Sequence, residues 1–274
     1  MSSILRNALG WMHVRLAKSR LATAAALTIR NQCRSVIRAH LSEGPDARIN
    51  GEALLLRHVA ASRRNAPFVF FDVGANVGDW TVLALDTVPR SRGVLFDPSS
   101  LACAALRTRF SGQDVEIVEA ALSDTVGEGM FFQEPEAGTH SSLVPMFART
   151  GAEQRLVALT TVDVEVQKRS IAWLDFLKID CEGYDLHVIH GAREVLSQQR
   201  VGIVQFEYNA PWAEAGSTLA AALRFLSDCN YDVYLLKSSG LYRFRYDRYG
   251  EFMDYANFVA VRSGTAGSLV RGTV

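Results

Sequence analysis

Short apolar segments alternate with helix-like segments through the part of the chain that follows residue 50. Runs of about four to eight apolar residues, rich in aromatic and β-branched types, are typical of strands buried on both faces. The segment 68–73 is such a run, and further strands are predicted at 93–96, 115–119, 176–179 and 201–208. Helical segments are predicted near 78–88, 99–110, 163–170, 184–198 and 217–228. This alternation predicts an α/β fold with a doubly wound, mostly parallel sheet.

The last part of the chain breaks this alternation. Two short strands are predicted at 231–236 and 241–245, in a hairpin-like arrangement, and a further strand at 257–261. Paired late strands predict an antiparallel edge to the sheet. Strands are also predicted in the less regular middle region, at 130–132 and 155–162.

The first 41 residues form a separate helical pattern, in which arginines are interleaved with apolar residues over 4–41. Residues 1–42 contain seven Lys or Arg and no Asp or Glu, whereas the other 232 residues contain 22 basic and 29 acidic groups. A basic amphipathic helix is typical of peripheral contact with an anionic membrane surface or of docking to a partner. A packed helical extension with solvated arginines and an arginine-rich transit peptide also fit this pattern.

The segment Glu43-Gly44-Pro45-Asp46 interrupts the helical pattern and marks the predicted domain boundary. The predicted organisation is a basic helical extension at 1–50, one α/β domain at 51–264 and a flexible tail at 265–274. A short helix at 51–64 is expected to lead into the first strand of the domain.

The composition is that of an ordinary globular protein of 274 residues, with 49% hydrophobic and 21% charged residues. The mildly acidic body does not have the charge of a nucleic-acid-binding domain. The four cysteines are 70, 78 and 48 positions apart, which is not the spacing of a metal site. Isolated thiols fit a reducing, cytoplasmic compartment, and no apolar run approaches the ~20 residues that cross a bilayer.

A glycine-rich turn follows the first predicted strand, in the sequence F-D-V-G-A-N-V-G-D-W at 71–80. A strand, a glycine-rich turn and a helix start form a cradle in which main-chain N–H groups face a ligand. The third glycine of the dinucleotide pattern G-x-G-x-x-G is missing, and an anionic Asp72 would repel a pyrophosphate. Asp72, Gly74, Asn76 and Gly78 therefore favour S-adenosylmethionine (SAM) as the ligand, with an ordinary βα turn as the alternative. Asn is among the few non-glycine residues that tolerate a positive φ.

Two further strand ends carry candidate cofactor residues. Asp97 follows the second strand, 19 positions after Gly78. An acid at this distance is placed to accept hydrogen bonds from ribose hydroxyls, and the alternative is a cap for the following helix. Ala121 and Leu122 follow the third strand and are small and apolar, which suits packing on an adenine ring.

Carboxylates also follow the fourth and fifth strands. Asp180 and Glu182 lie two positions apart at the end of the fourth strand, and Glu207 lies near the end of the fifth. Paired carboxylates at the open end of a buried strand are costly unless they are used or paired. Asp180 and Glu182 are expected to orient an acceptor, bind a cation or take a proton, and the alternative is capping of the next helix. Glu207 is expected to bind the substrate at the same edge.

Together these motifs resemble the FkbM-type family of SAM-dependent methyltransferases over about residues 68–262. Besides the turn, the resemblance rests on L-F-D-P at 95–98, A-L-S-D at 121–124, L-K-I-D-C-E-G-Y-D-L-H-V-I-H-G-A at 177–192 and Q-F-E at 205–207. It implies a class I, Rossmann-like methyltransferase fold and, usually, O-methylation of a sugar, glycan or secondary metabolite. One departure is Asp97, where the family more often has Glu, so the shorter acid reaches less far.

Methyl transfer from a sulfonium is an in-line displacement in which positioning supplies much of the rate gain. An aliphatic hydroxyl has a pKa of ~16, so a base within hydrogen-bond reach helps. The hypothesis is that Asp180 or Glu182 is this base, or binds a divalent cation that lowers the hydroxyl pKa.

The loop at 134–142 is expected to help form the acceptor pocket, with Ser141 and Ser142 binding substrate and His140 as a rival base. A nicotinamide-dependent oxidoreductase is a rival function that the missing glycine and Asp72 disfavour. A second rival is a non-catalytic SAM-binding, membrane-surface or partner-binding protein on the same scaffold. The sequence leaves the acceptor, metal dependence and oligomeric state open.

Overall fold

The computed structural model describes residues 3–63, 66–133, 141–145 and 152–274, with side chains from Gly10 onward. The chain divides into two compact units, Met1–Leu41 and Ser42–Val274. The first unit contains helices α1 (Ser3–Ala17) and α2 (Arg20–Leu41). The predicted helical segment is interrupted because the hydroxyl of Ser19 accepts a hydrogen bond from the N–H of Ala22 at 3.3 Å and so caps α2. Within the described ranges, no helix combines the length and apolar character needed to cross a membrane.

The second unit alternates strands and helices. Its strands are β1 (Phe68–Val73), β2 (Ser91–Phe96), β3 (Val115–Val118), β4 (Ala121–Leu122), β5 (Gly127–Gln133), β6 (Glu153–Thr160), β7 (Leu174–Ile179), β8 (Val201–Tyr208), β9 (Tyr231–Lys237), β10 (Gly240–Arg243), β11 (Ala256–Arg262) and β12 (Val270–Thr273). Its helices are α3 (Glu52–Arg63), α4 (Asp79–Thr87), α5 (Ser100–Arg109), α6 (Val162–Lys168), α7 (Asp185–His190), α8 (Arg193–Ser197), α9 (Leu219–Asp228) and α10 (Tyr246–Tyr249).

Nine of the strands form one sheet in the order β12-β10-β9-β11-β8-β7-β1-β2-β3. Five adjacent strands, β8, β7, β1, β2 and β3, are parallel to one another. Strand β11 lies between β8 and β9 and is antiparallel to both. The predicted α/β class, with a mostly parallel sheet and an antiparallel edge, is confirmed. The strand order reverses at β1, which has β2 on one side and β7 on the other. In such sheets, ligands bind at the carboxyl ends of the strands beside this reversal.

A second, three-stranded sheet has the order β4-β6-β5, with β5 antiparallel to β6. The strands near 130–132 and 155–162 were predicted, but their separation from the main sheet was not. Local apolar patterns indicate that a segment is extended, and they do not say with which sheet it pairs.

Strand β1 is buried on both faces, as its composition predicted. The ring of Phe70 packs edge-to-face on that of Trp80, with ring centroids 5.6 Å apart, on one side of the sheet. Phe71, the next residue, packs on Phe96 at 5.0 Å. Because successive side chains point to opposite faces of a strand, Phe70 packs on the helix side through Trp80 of α4, and Phe71 packs on the other face against its neighbour on β2.

Two sequence predictions about regular structure were wrong. The helix predicted at 184–198 is divided into α7 and α8 at Gly191. A Cβ at Gly191 would lie 1.9 Å from the main-chain oxygen of Ser123, so glycine permits this close approach. The tail at 265–274 is not flexible, because β12 pairs with β10 and Leu269 is buried in the hydrophobic core. An edge strand of four residues, with Arg271 and Gly272 inside it, gives too weak an apolar pattern to be recognised.

Candidate active site

The turn after β1 adopts left-handed backbone conformations at three positions. The φ angles are 78° at Gly74, 47° at Asn76 and 85° at Gly78. The expectation that Asn76 tolerates a positive φ is confirmed. A Cβ at Gly74 would lie 2.0 Å from the main-chain oxygen of Asp180, so the absence of a side chain lets the turn pack against the end of β7.

Asp97 follows β2 and connects it to this turn. Its Oδ2 accepts a hydrogen bond from the N–H of Asn76 at 2.9 Å, and its Oδ1 accepts one from the N–H of Ser99 at 2.8 Å. The residue that caps α5 is Ser99, whose hydroxyl accepts from the N–H of Ala102 at 3.3 Å. Burial raises the pKa of Asp97 to about 6, although the two main-chain hydrogen bonds act in the opposite direction. Each carboxylate oxygen can accept a second hydrogen bond from a ligand hydroxyl.

The end of β7 contains a buried ion-pair network centred on Lys178. Its Nζ lies 2.8 Å from Oδ2 of Asp180 and 3.9 Å from Oε1 of Glu52 in α3. Burial lowers the pKa of Lys178, but the charges of Asp180 and Glu52 outweigh it, and the pKa lies well above the ordinary value. The side chain of Asp180 is 37% exposed, so the ion pair holds a carboxylate that solvent and ligands can reach.

Glu207, near the end of β8, is buried beside other carboxylates. Its Oε1 accepts a hydrogen bond from Nδ2 of Asn209 at 2.7 Å, and the same nitrogen lies 3.4 Å from Oε2 of Glu182. Burial, together with the charges of Asp180 and Glu182, raises the pKa of Glu207 well above its ordinary value. The Oδ1 atom of Asn209 is buried and has no hydrogen-bond partner among the described residues.

Asp185, at the start of α7, supports Glu207 through its main chain. The Oδ1 atom of Asp185 accepts a hydrogen bond from the N–H of Glu207 at 3.1 Å. Burial raises the pKa of Asp185 to about 7. Ser142 supports the same region, because its hydroxyl donates to the main-chain oxygen of Glu182 at 3.0 Å and accepts from the N–H of Val144 at 3.1 Å.

Several of these groups line a cavity of about 570 Å³ at the carboxyl ends of β1, β2, β7 and β8, whereas Lys178 and Asp185 lie behind them. Most of the residues predicted to form the site line this cavity, namely Gly74, Asn76, Asp97, Ala121, Leu122, Ser141, Ser142, Asp180, Glu182 and Glu207. His140, the rival base, lies outside the described residues and stays a prediction. Ala121 and Leu122 reach the cavity from β4 in the second sheet, and not from the end of β3.

Asp72 and Gly78, which were predicted to bind the cofactor, are not among the described residues that line the cavity. The Oδ2 of Asp72 accepts a hydrogen bond from the hydroxyl of Thr81 at 2.6 Å, and burial raises the pKa of Asp72 to about 6. A Cβ at Gly78 would lie 2.4 Å from the ring of Phe110. Both residues therefore stabilise the turn from its buried side, where the strand and helix layers pack together.

Asn209 and Tyr255 are polar residues of the cavity lining that the sequence analysis missed. Asn209 follows β8 directly, and Tyr255 precedes β11. Because β11 is antiparallel to β8, with Ala256 opposite Tyr208, the beginning of β11 lies at the carboxyl edge of the parallel strands. The sequence signal for Tyr255 was the predicted antiparallel edge strand. Because this strand runs in the opposite direction, the residues at its beginning lie beside the last residues of the parallel strands.

The expectation of a divalent cation finds no support. In the part of the chain that the structure describes, no group of three or more His, Cys, Asp or Glu side chains is placed to hold a metal ion. Beside Asp180, the position of a counter-charge is taken by the ammonium group of Lys178.

The parallel sheet, its reversal at β1 and the glycine-rich turn followed by an acid after β2 define a class I, Rossmann-like methyltransferase fold. Residues 72–233 match the family described as Methyltransferase FkbM domain, and the chain belongs to this family. SAM is the cofactor that the family implies. The cavity fits it, because Asp97 offers acceptors for ribose hydroxyls, and Ala121 and Leu122 offer an apolar surface for an adenine ring.

The chain is also similar to solved structures at low identity. The precorrin-6y C5,15-methyltransferase of Geobacter metallireducens GS-15 is 16% identical, with a TM-score of 0.40 over 76% of this chain and 87% of that chain. An rRNA methylase from Streptococcus thermophilus is 10% identical, with a TM-score of 0.42 over 77% and 93%. The N-terminal domain of human METTL16 in complex with SAH is 10% identical, with a TM-score of 0.43 over 77% and 67%. No curated protein sequence matches the chain.

Proposed function

We propose that the protein transfers the methyl group of SAM to a hydroxyl of a neutral, hydroxyl-rich acceptor such as a sugar, a glycan or a secondary metabolite. The observation that carries the proposal is the order of groups along the edge of the sheet. Asp97 follows β2, Gly74 follows β1, Asp180 follows β7 and Glu207 is near the end of β8. Because neighbouring strands lie ~4.8 Å apart, the residues proposed to bind the nucleoside of SAM and those proposed to bind the acceptor are adjacent in one cavity.

The β1–β2 side is suited to the cofactor. Asp97 accepts hydrogen bonds from the ribose hydroxyls, and the apolar side chains of Leu122 and Phe131 pack on the adenine ring. When bound, SAM supplies an electrophilic methyl group on its sulfonium. The described cavity lining contains no Lys, Arg or His, so a cationic cofactor meets no positive side chain there.

On the β7 side, Asp180 is the proposed base. Lys178 binds its Oδ2, and this contact fixes the orientation of the carboxylate. The Oδ1 atom would then accept the proton of the acceptor hydroxyl. A positioned base of this kind contributes about 10²- to 10⁴-fold to the rate.

Glu207, Asn209 and Tyr255 are proposed to bind the rest of the acceptor. Burial and the neighbouring acids raise the pKa of Glu207 well above its ordinary value, which favours the protonated form that can donate a hydrogen bond to an acceptor. Donors and acceptors without a cationic partner suit neutral hydroxyl groups. A phosphorylated acceptor would find no counter-charge in the described lining.

The test is transfer of a tritiated methyl group from SAM to a panel of neutral sugars and glycans, amino sugars, sugar phosphates and secondary-metabolite alcohols. The expected result is labelling of neutral hydroxyl acceptors, with the label stable as an ether. Label on an amine nitrogen, or a preference for phosphorylated acceptors, would contradict the proposal.

Asp180→Asn separates catalysis from cofactor binding. The expected result is a turnover at least ~100-fold lower, with SAM affinity by calorimetry unchanged. Asp228→Asn, at an exposed position, is the matched control and should be fully active. Full activity of Asp180→Asn would eliminate it as the base. SAM binding without transfer to any acceptor would favour the non-catalytic alternative.

A further inference from the structure

Helix α2 has one continuous apolar stripe that is exposed to solvent. The stripe follows helical spacing through Ala22, Ala25, Ile29, Cys33 and Val36. Ile29 is 65% exposed and Val36 is 71% exposed. Single exposed apolar residues are ordinary on protein surfaces, but a stripe extending over four turns of one helix indicates an interaction surface.

The opposite face of α2 carries three of its four arginines, together with the exposed Leu27. At 100° per residue, Arg20, Arg34 and Arg38 lie on the side away from Ile29, and Arg30 lies at the flank. No Asp or Glu occurs among residues 1–42, so the net charge of this segment is strongly positive. A surface that complements α2 is apolar at its centre and negatively charged around it.

Helix α1 repeats this composition. Trp11 is 68% exposed and Val14 is 62% exposed, and Arg15 lies over the ring of Trp11 at 5.3 Å. Tryptophan and arginine are enriched where a polypeptide meets the boundary between lipid headgroups and acyl chains.

We propose that α2, assisted by α1, binds the surface of an anionic lipid bilayer. The apolar stripe of α2 lies below the lipid headgroups, and its arginines lie among the headgroups. An anionic bilayer provides both an apolar layer and a dense negative charge, and thus matches both faces of the helix. Nucleic acid provides the negative charge without the apolar layer. Four arginines within 22 residues favour a helix lying in the plane of the interface over one that spans the bilayer.

The experiment measures binding of the full chain to vesicles by flotation. Vesicles of phosphatidylcholine with about 30% phosphatidylglycerol are compared with pure phosphatidylcholine at ~0.15 M salt. The expected result is binding at least ~10-fold tighter to the anionic vesicles. Replacement of the apolar stripe in Ile29→Gln/Val36→Gln should weaken that binding by at least ~10-fold.

The charge is tested separately in Arg34→Gln/Arg38→Gln. Each arginine near an anionic surface contributes about fivefold, so the double variant should bind anionic vesicles roughly 25-fold more weakly. The matched control is Thr28→Gln/Ser35→Gln, which places two glutamines on the polar side of the same helix and should bind like the wild type.

Four results would overturn the proposal. One is no binding to either vesicle, and another is equal loss of binding in the Thr28→Gln/Ser35→Gln control. The third is a dimer seen by light scattering that Ile29→Gln/Val36→Gln dissociates while vesicle binding persists, which would assign the stripe to self-association. RNA binding that depends on Arg34 and Arg38 but not on Ile29 would assign the basic face to nucleic acid.

Discussion

Gly74 and Asp180 are in contact at the carboxyl edge of the sheet, where the α-carbon of Gly74 faces the main-chain oxygen of Asp180. A Cβ at Gly74 would lie 2.0 Å from that oxygen. The contact brings the turn that follows β1 against the residue proposed as the base. The proposed cofactor side and acceptor side of the cavity therefore meet at the main chains of Gly74 and Asp180.

Gly74→Ala should destabilise the protein by about 3 kcal/mol or more, since it adds overpacking to the cost of a positive φ. Gly112→Ala is the matched control, because Gly112 has a φ of 79° with nothing within 4 Å of an added Cβ. It should cost only about 1–2 kcal/mol. Urea unfolding measures both values, and equal losses would show that the contact with Asp180 is unimportant.

Asp97 should make SAM binding dependent on pH. Burial raises the pKa of Asp97 to about 6, and only the ionised carboxylate offers all of its lone pairs to ribose hydroxyls. Affinity should therefore be full above this pKa and fall as the pH decreases through it, by roughly 10-fold at pH 5. Calorimetry between about pH 5 and 7 measures this change.

Asp97→Asn should lower SAM affinity at neutral pH and abolish most of this pH dependence. Asp72→Asn is the control, because burial also raises the pKa of Asp72 to about 6, although Asp72 does not line the cavity. It should keep the wild-type pH profile. A profile that vanishes in Asp72→Asn and persists in Asp97→Asn would reverse the two roles.

Lys178→Met should destabilise the protein by about 3–5 kcal/mol at neutral pH, because the carboxylates of Glu52 and Asp180 lose their counter-charge. Lys168→Met, at an exposed lysine 4.0 Å from Glu165, should change stability by less than about 1 kcal/mol. Thermal and urea unfolding provide the comparison.

Adding Glu52→Gln to Lys178→Met should restore part of this loss, since one of the two unpaired acids is removed. Additive losses in the double variant would mean that Lys178 stabilises the fold by packing alone.

Leu269→Ala should destabilise the protein by about 2–4 kcal/mol, because Leu269 is buried in the core next to β12. The neighbouring Ser268 is exposed, and Ser268→Ala should stay within about 0.5 kcal/mol of the wild type. A flexible tail would give no difference between the two variants in urea unfolding.

Much of the site could be predicted because its residues are at the ends of strands that are visible locally. The run from Phe68 to Val73, the glycines after it and the acid at position 97 each stand out within a few residues. Asp180 and Glu207 were found in the same way. Tyr255 was missed because it precedes its strand, and Asp72 was assigned to the cofactor because its side-chain direction is not evident from the residue type.

The sequence by itself determined the α/β class, the parallel order of elements and the glycine-rich turn, since strand composition, turn residues and helix starts are short-range properties. Only the tertiary structure decided that Lys178 pairs with Glu52, that β4, β5 and β6 leave the main sheet and that β12 completes its edge. The physical reason is that these features depend on which distant segments pair, and the energy of that pairing depends on contacts that no single stretch of the chain contains.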